Sequence, residues 1–522
     1  MSSEPQHPLD TRPPSVVPVA LATLVSTVGA TLAAAPAGAS GASVTGVTLA
    51  SSDVRPGDLY AALPGTRTHG ARFAADAAQR GAVAVLTDAA GADLVAEAGV
   101  ELPVVVVADA RAVLGQVASQ VYAAPSEGLT TIGITGTQGK TTSSYLAAAA
   151  LRACGDRVGA IGTTGAFLDG RPLSSALTTP EAPALHALFG VMRDHGADAV
   201  VMEVSSHALA LHRVDGVVYD VAVFLNLGRD HLDFHPDVED YFAAKASLFT
   251  PERAGHAVVD IDDPYGRRLA SSVTIPLTTV SLEGREEADW RVVSVESTAT
   301  GSTARVVGPD ESDHTLLVGL PGRFNVANAL AVLAAVTATG RAVEDVLAGI
   351  AGCTAVPGRM ESVDAGQDFT AIVDYAHKPD ALRAVLASLR GLSDGRLVVV
   401  VGAGGDRDLG KRPLMGAAAA ELADVVVVTD DNPRTEDPAQ VRAAIIAGAR
   451  SALVQGAAAE LVEIGDRRAA IAHAVGAARP GDVVVVAGKG HERGQIVGDV
   501  VHPFDDREVL VELLGDVRRD RT

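Results

Sequence analysis

A chain of 522 residues is longer than one hydrophobic core usually serves, so two to four domains are expected. With 48% apolar and 20% charged residues it suits a soluble globular enzyme, and a formal charge of −22 excludes the broad basic surface that nucleic acid requires. Cys154 and Cys353, far apart and in unlike contexts, exclude a disulfide framework or a cysteine-ligated zinc and point to a reducing compartment.

In chain order, residues 1–40 read as partly disordered or peripheral, beginning with a Pro-rich tail. Val16–Ala35 is the one stretch that suggests export or a membrane, but Pro18, Ser26, Thr27 and Thr31 interrupt it and only Arg12 precedes it as a basic residue. A spanning helix needs about twenty predominantly apolar residues and a signal peptide needs a basic start. The stretch therefore reads as a packed amphipathic helix, with no membrane insertion and a cytoplasmic location expected. Short strands at Ala82–Thr87 and Val104–Ala108 then alternate with Ala-rich helices, and a turn-like Ala-Pro-Ser-Glu-Gly at 124–128 closes a first domain, 1–128.

The second domain, 129–357, opens with a strand at Thr131–Thr135 and a helix over Ser143–Cys154, and ends at Ala-Val-Pro-Gly, 355–358. The third, 358–522, holds four apolar runs that read as buried parallel strands: Ala371–Val373, Leu397–Val401, Val425–Val428 and Val483–Val486. Each run ends in a polar cluster: Asp374 to Lys378, Gly404 to Asp408, Asp430 to Arg434, and Gly488 to Glu492. Ligands of open parallel sheets bind beyond the carboxyl ends of the strands, so four clusters on one edge predict a site. The fold class is α/β with three domains.

Between strand and helix lies Gly136-Thr137-Gln138-Gly139-Lys140-Thr141-Thr142. Such glycines let backbone N–H groups cradle phosphates at a helix N-terminus, with Lys140 on the β/γ oxygens and Thr141 placed for Mg²⁺. Ile134 stands where the usual Gly-x4-Gly-Lys-Ser/Thr loop begins, so this is a variant of it. Only five of the 42 cations are lysine: Lys140, Lys245, Lys378, Lys411 and Lys489. In a chain that writes arginine nearly everywhere, the survivors mark places that need a compact or titratable amine. Lys378, Lys411 and Lys489 border polar clusters without an assigned role.

This variant loop resembles the Mur ligase family. So do Glu203-Val-Ser-Ser206-His207, Asn226-Leu-Gly-Arg-Asp230-His231, Tyr241-Phe-Ala-Ala-Lys245, Gly322-Arg-Phe-Asn325-Val-Ala-Asn328, Asp374-Tyr-Ala-His377 and Gly404-Gly-Asp-Arg407-Asp408, in order over nearly all the chain after residue 44. The resemblance implies a UDP-binding N-terminal domain, a P-loop ATPase-like central domain and a Rossmann-like C-terminal domain. It also implies ATP-dependent amide formation on a cell-wall precursor through an acyl phosphate, with domain closure before chemistry.

By the same resemblance Gly136 to Thr142, Asn325, Asp374 and His377 bind ATP, and Lys140, Glu203, His231 and Lys245 are catalytic. Thr141, Glu203, His231 and Lys245 hold Mg²⁺, with Lys245 carbamylated, although on residues alone a helix lysine is a solvated cation. Leu49, Ser51, Thr178, Thr179, Ser205 and Arg213 hold the UDP-substrate. A family Asp-Ser-Arg stands here as Ala50-Ser51-Ser52, which alters the uridine contacts. Asp431-Asn432-Pro433-Arg434 resembles the family's diaminopimelate motif, so Arg407, Asp431, Asn432, Pro433, Arg434, Gly488 and Glu492 would bind meso-diaminopimelate. The implied substrates are ATP, UDP-MurNAc-L-Ala-D-Glu and meso-diaminopimelate. The alternative is a sibling ligase adding L-lysine or another amino acid.

Overall fold

The computed structural model describes residues 9–33, 41–173, 177–298, 300–391 and 394–521, with side chains up to 515. The chain forms two compact units, Met1–Val280 with Ala334–Val346, and Ser281–Leu333 with Leu347–Thr522. Three α/β domains are built on them.

In the first unit, a five-stranded sheet runs in the order Thr31–Ala33, Val104–Val106, Ala84–Thr87, Asp58–Ala61, Gly46–Thr48. All pairs are parallel except the first, an antiparallel edge. The expected helix over Val16–Ala35 is corrected. A strand pair at Val19–Ala20 leads into a helix of only seven residues, Leu21–Thr27, and strand Thr31–Ala33 follows. Gly29 sits at φ +60° just past the end of the helix, and the edge of the sheet takes Thr31–Ala33. Residues 34–35 lie outside those described. Leu21 and Leu24 are core residues, so this part of the segment is not peripheral. Among the described residues no helix is long and apolar enough to cross a membrane.

The second sheet of this unit is built around Thr130–Thr135, flanked in parallel by Ala199–Glu203 and Tyr219–Phe224. Val158–Gly162 lies beyond the former, and Ala254–Asp260 and Leu277–Ser281 beyond the latter. Parallel pairing aligns the carboxyl ends, so Gly136, Glu203 and Asn226 leave the same edge of the sheet.

At the end of a neighbouring strand, burial and the adjoining Asp262 and Asp263 push the Asp260 carboxyl up to about 7. The fold therefore favours its protonated form. That contribution to stability is whole below about pH 4, the unfolded value, and is lost as pH rises through 7. Asp260→Asn removes the dependence: its melting temperature should match that of the wild type near pH 4 and exceed it above pH 7. A difference that stays constant across a pH series of thermal melts contradicts this.

The second unit carries an antiparallel meander, Trp290–Thr298, Gly301–Val307 and Asp313–Val318. It also holds a sheet ordered Glu361–Ser362, Thr370–Asp374, Val483–Ala487, Leu397–Val401, Val425–Val428, Glu460–Glu463. The four strands expected from valine-rich runs are adjacent and parallel. The chain steps outward from Leu397–Val401 and returns to insert Val483–Ala487 beside it, creating the switch point where ligands of such sheets bind. Both faces are covered: Leu382, Leu386, Met415 and Ile445 pack on one, Ile471, Val475 and Leu510 on the other.

Candidate active site

Strand Thr130–Thr135 runs into Gly136, and helix Lys140–Ala153 starts after Gly139, which is left-handed at φ +87°. A Cβ at 136 would meet Leu225 Cβ at 3.0 Å and Gln138 O at 3.2 Å, so the turn admits only glycine. The loop thus presents backbone N–H groups at a helix N-terminus, the arrangement that accepts phosphate. Thr141 and Thr142 are buried in the first turn. Lys140 lies along the loop, its Nζ donating to Gly136 O at 2.7 Å and Thr137 O at 3.2 Å.

Two neighbouring segments fix this loop. Asn226 O accepts from Thr137 N at 3.0 Å, its Oδ1 accepts from Gln138 N at 2.9 Å, and its Nδ2 donates to Gln138 O at 3.2 Å. Helix Val238–Ala246 turns Tyr241 and Lys245, four residues apart, inward. Tyr241 Oη lies 3.0 Å from Thr137 Oγ1. Lys245 is 1% exposed, which removes the solvated-cation reading. Its Nζ donates to Gly136 O at 2.9 Å, so two lysines share one P-loop carbonyl.

Glu203 ends its strand fully buried. Its oxygens accept from Thr163 N at 2.8 Å and Thr163 Oγ1 at 3.0 Å, and a Cβ on Gly162 would run into the carboxylate. A buried carboxylate held by neutral donors, in a cradle kept open by glycine, fits a divalent cation. His231 has φ +53°, a costly backbone for a non-glycine, and its ring stacks edge-on with His207 at 4.6 Å. Its Nε2 lies 3.1 Å from Asp230 Oδ2. Among the described residues no group of three His, Cys, Asp or Glu is clustered to hold a metal. A cation held by Glu203 and His231 would draw its remaining donors from hydroxyl, water or phosphate oxygens.

Thr178 and Thr179 adjoin Thr163 and the Glu203 backbone. Thr178 Oγ1 is 3.3 Å from Thr163 Oγ1, and Thr179 Oγ1 donates to Glu203 O at 2.8 Å and accepts from Ser205 N at 3.2 Å. Arg213 pairs with Glu181 at 2.8 Å. A cavity of about 600 Å³ is lined by Leu49, Ala50, Ser52, Leu177 and Glu181 among others. Ser51 does not line it.

In the second unit Asn325 donates to Pro321 O at 2.7 Å and accepts from Asn328 at 3.1 Å. Asp374 accepts from Met360 N and Ala376 N, both at 2.7 Å, and burial raises its pKa. Burial pushes His377 down to about 3, assisted by Lys378 and Lys411, so the ring is neutral and Nδ1 donates to Tyr375 O at 2.8 Å.

The loops after Val428 and Ala487 are joined by side chains. Asn432 Nδ2 donates to Glu492 Oε2 at 2.9 Å, and Lys489 Nζ donates to Asn432 Oδ1 at 2.8 Å. Gly488 sits at φ +118°, where a Cβ would come within 2.8 Å of Asp431 Oδ2. Arg434 has φ +54°, and its backbone pairs with the hairpin at Ile496 and Gly498. Its Nε is buried with no acceptor among the described residues. Arg407 is exposed, beside the left-handed Asp406.

Residues 43–122 match the family model described as Mur ligase family, catalytic domain; residues 134–336 the Mur ligase middle domain; residues 358–490 the Mur ligase, glutamate ligase domain. The UDP-N-acetylmuramoyl-L-alanyl-D-glutamate–2,6-diaminopimelate ligase of Streptomyces avermitilis is 53% identical over 473 residues, 91% of this chain and 93% of that one. The chain belongs to the Mur ligase family. The enzyme of the same name from Streptomyces coelicolor is 50% identical, over 97% of this chain and 99% of its own. A solved structure of an enzyme of that name superposes with a TM-score of 0.65 at 33% identity, covering 91% of this chain and 96% of that one.

In this Mur ligase several residues at the site went unassigned in the sequence. Asn226 and Tyr241 sit inside recognised motifs, so their signal was present. Thr163 carries no signal beyond a neighbouring glycine. Arg467 pairs bidentately with Asp506, both side chains fully buried, and donates to Ala487 O at 3.0 Å, bracing the Gly488 loop from 20 residues away.

Proposed function

We propose that this Mur ligase adds meso-diaminopimelate to the D-Glu carboxylate of UDP-MurNAc-L-Ala-D-Glu, using ATP and Mg²⁺. The observation that carries the amino-acid assignment is the Asp431–Arg434 loop. A buried guanidinium N–H without an acceptor among the described residues stands there, close in sequence to an Asn432–Glu492 pair. Meso-diaminopimelate ends in both a carboxylate and an ammonium group, and Arg434 and Glu492 are the complementary partners. The similarity to ligases of that name over nearly the whole chain supports the same reading.

In the proposed reaction, the glycine loop and Lys140 orient the triphosphate, and the γ-phosphoryl group passes to the D-Glu side-chain carboxylate as ADP leaves. Thr178, Thr179, Ser205 and Arg213 hold that acceptor. The amine of diaminopimelate then attacks the acyl carbon, loses a proton, and the tetrahedral adduct expels phosphate. Thr141, Glu203, His231 and carbamylated Lys245 would hold Mg²⁺, which supplies charge neutralisation between the two anions when bound.

The direct test is phosphate release with each amino acid in turn, in the presence of UDP-MurNAc-L-Ala-D-Glu: meso-diaminopimelate should support turnover and L-lysine little. Arg434→Ala removes the fork that pairs with the distal carboxylate. It should raise the KM for diaminopimelate at least about thirtyfold, the low end for breaking a desolvated charge pair. The KM values for ATP and the UDP-substrate should stay within about twofold. Lysine should be used no worse by the variant than by the wild type. Equal use of both amino acids by the wild type removes the selectivity assignment and leaves the ligase chemistry standing.

A further inference from the structure

Lys489 is one of five lysines in the chain, it is 0% exposed, and nothing in the proposed reaction uses it. Fully buried lysines are rare unless paired. Its Nζ donates to Asn432 Oδ1 at 2.8 Å and Gly494 O at 2.7 Å, and lies 3.3 Å from Asp431 Oδ1 and 3.7 Å from Glu492 Oε2. Two hydrogen bonds and two ion pairs thus tie the ammonium to the two site loops and the hairpin behind them. The nearby Arg467 is neutralised by Asp506, with both side chains buried, so it leaves the local balance unchanged.

We infer that Lys489 is a specificity-determining positioning residue: it sets the charge of the amino-acid pocket so that a zwitterionic end is preferred to a bare ammonium. The inference rests on the proposed diaminopimelate site. Asp431 and Glu492 carry two negative charges and Lys489 one positive, leaving a single negative charge for one substrate ammonium. The substrate's distal carboxylate goes to Arg434. With Lys489 neutral, the corner would carry two negative charges. It would then hold lysine's lone ammonium more strongly, while repelling the carboxylate that diaminopimelate brings beside its own ammonium.

The selectivity, kcat/KM for diaminopimelate over kcat/KM for L-lysine, should therefore follow net charge through four proteins. Asp431→Asn should be most selective for diaminopimelate, the wild type and Lys489→Met/Asp431→Asn should be alike, and Lys489→Met should be least selective. The fall from wild type to Lys489→Met should be about tenfold or more, for one added unit charge at close range. A purely structural role loosens the loops for both amino acids together, so a ratio unchanged within about twofold in Lys489→Met overturns the inference. So does a double variant that keeps the ratio of Lys489→Met. If Lys489→Met fails to fold because it strands two buried carboxylates, the comparison of Asp431→Asn with the double variant decides. The same fall is expected there, and equal ratios overturn it. Failure of the underlying site reading shows separately, as a wild type that does not prefer diaminopimelate.

Discussion

Lys140→Ala should lower the rate of ADP formation dependent on the amino acid by about 10²–10³, the usual cost of removing one electrostatic donor from a site of charge transfer. The ammonium reaches back along its own loop to Gly136 O and Thr137 O, so it lies against the backbone of the proposed phosphate loop. The fold should survive the change. Gly136 O keeps its hydrogen bond from Lys245, and Asn226 still bridges Thr137 and Gln138. The variant's melting temperature should accordingly stay close to that of the wild type while kcat falls. Wild-type turnover in a folded Lys140→Ala protein would remove the basis of the ATP-site assignment.

Lys245→Ala should abolish turnover almost completely, and short carboxylic acids should restore part of it by supplying the missing oxygens. Carbamylation needs a neutral amine held away from bulk water, and Lys245 is 1% exposed. The contact of its Nζ with the Tyr241 ring, 4.7 Å from the centroid, favours the charged amine and opposes that requirement. Burial and the adjoining Lys140, which shares the Gly136 carbonyl, act the other way. Lys245→Arg keeps the charge but cannot form a carbamate, so it should be as inactive as the alanine variant. Carbon-13 NMR with labelled bicarbonate should show a carbamate carbonyl in the wild type and none in Lys245→Arg. An active arginine variant would contradict carbamylation.

What the sequence determined alone was everything set by local chemistry. Runs such as Val425–Val428 and Val483–Val486 can only be strands buried on both faces, and their observed bounds differ from the reading by one residue at most. The glycines of 136–139 dictate a loop that no other residue could form, and the polar clusters mark the strand ends. Where local signals conflicted, the reading failed: Val16–Ala35 has helical composition, but Gly29 and an open sheet edge divide it into strand, helix and strand.

Tertiary structure alone decided which distant residues meet. Asn226 reaches Gln138 only because their strands pair in parallel register, and Thr163 reaches Glu203 only because strand Val158–Gly162 lies beside Ala199–Glu203. Lys245 reads as a surface cation on its helix until the packing of that helix buries it against Gly136. Lys489 and Arg467 are ordinary basic residues in the sequence, and their hydrogen-bond partners Asn432 and Asp506 lie 57 and 39 positions away. Hydrogen bonds and ion pairs depend on separation in space, which sequence spacing encodes only within one helix or one turn. The candidate site residues were legible from their motifs, and the residues that hold them in place became visible only in the folded chain.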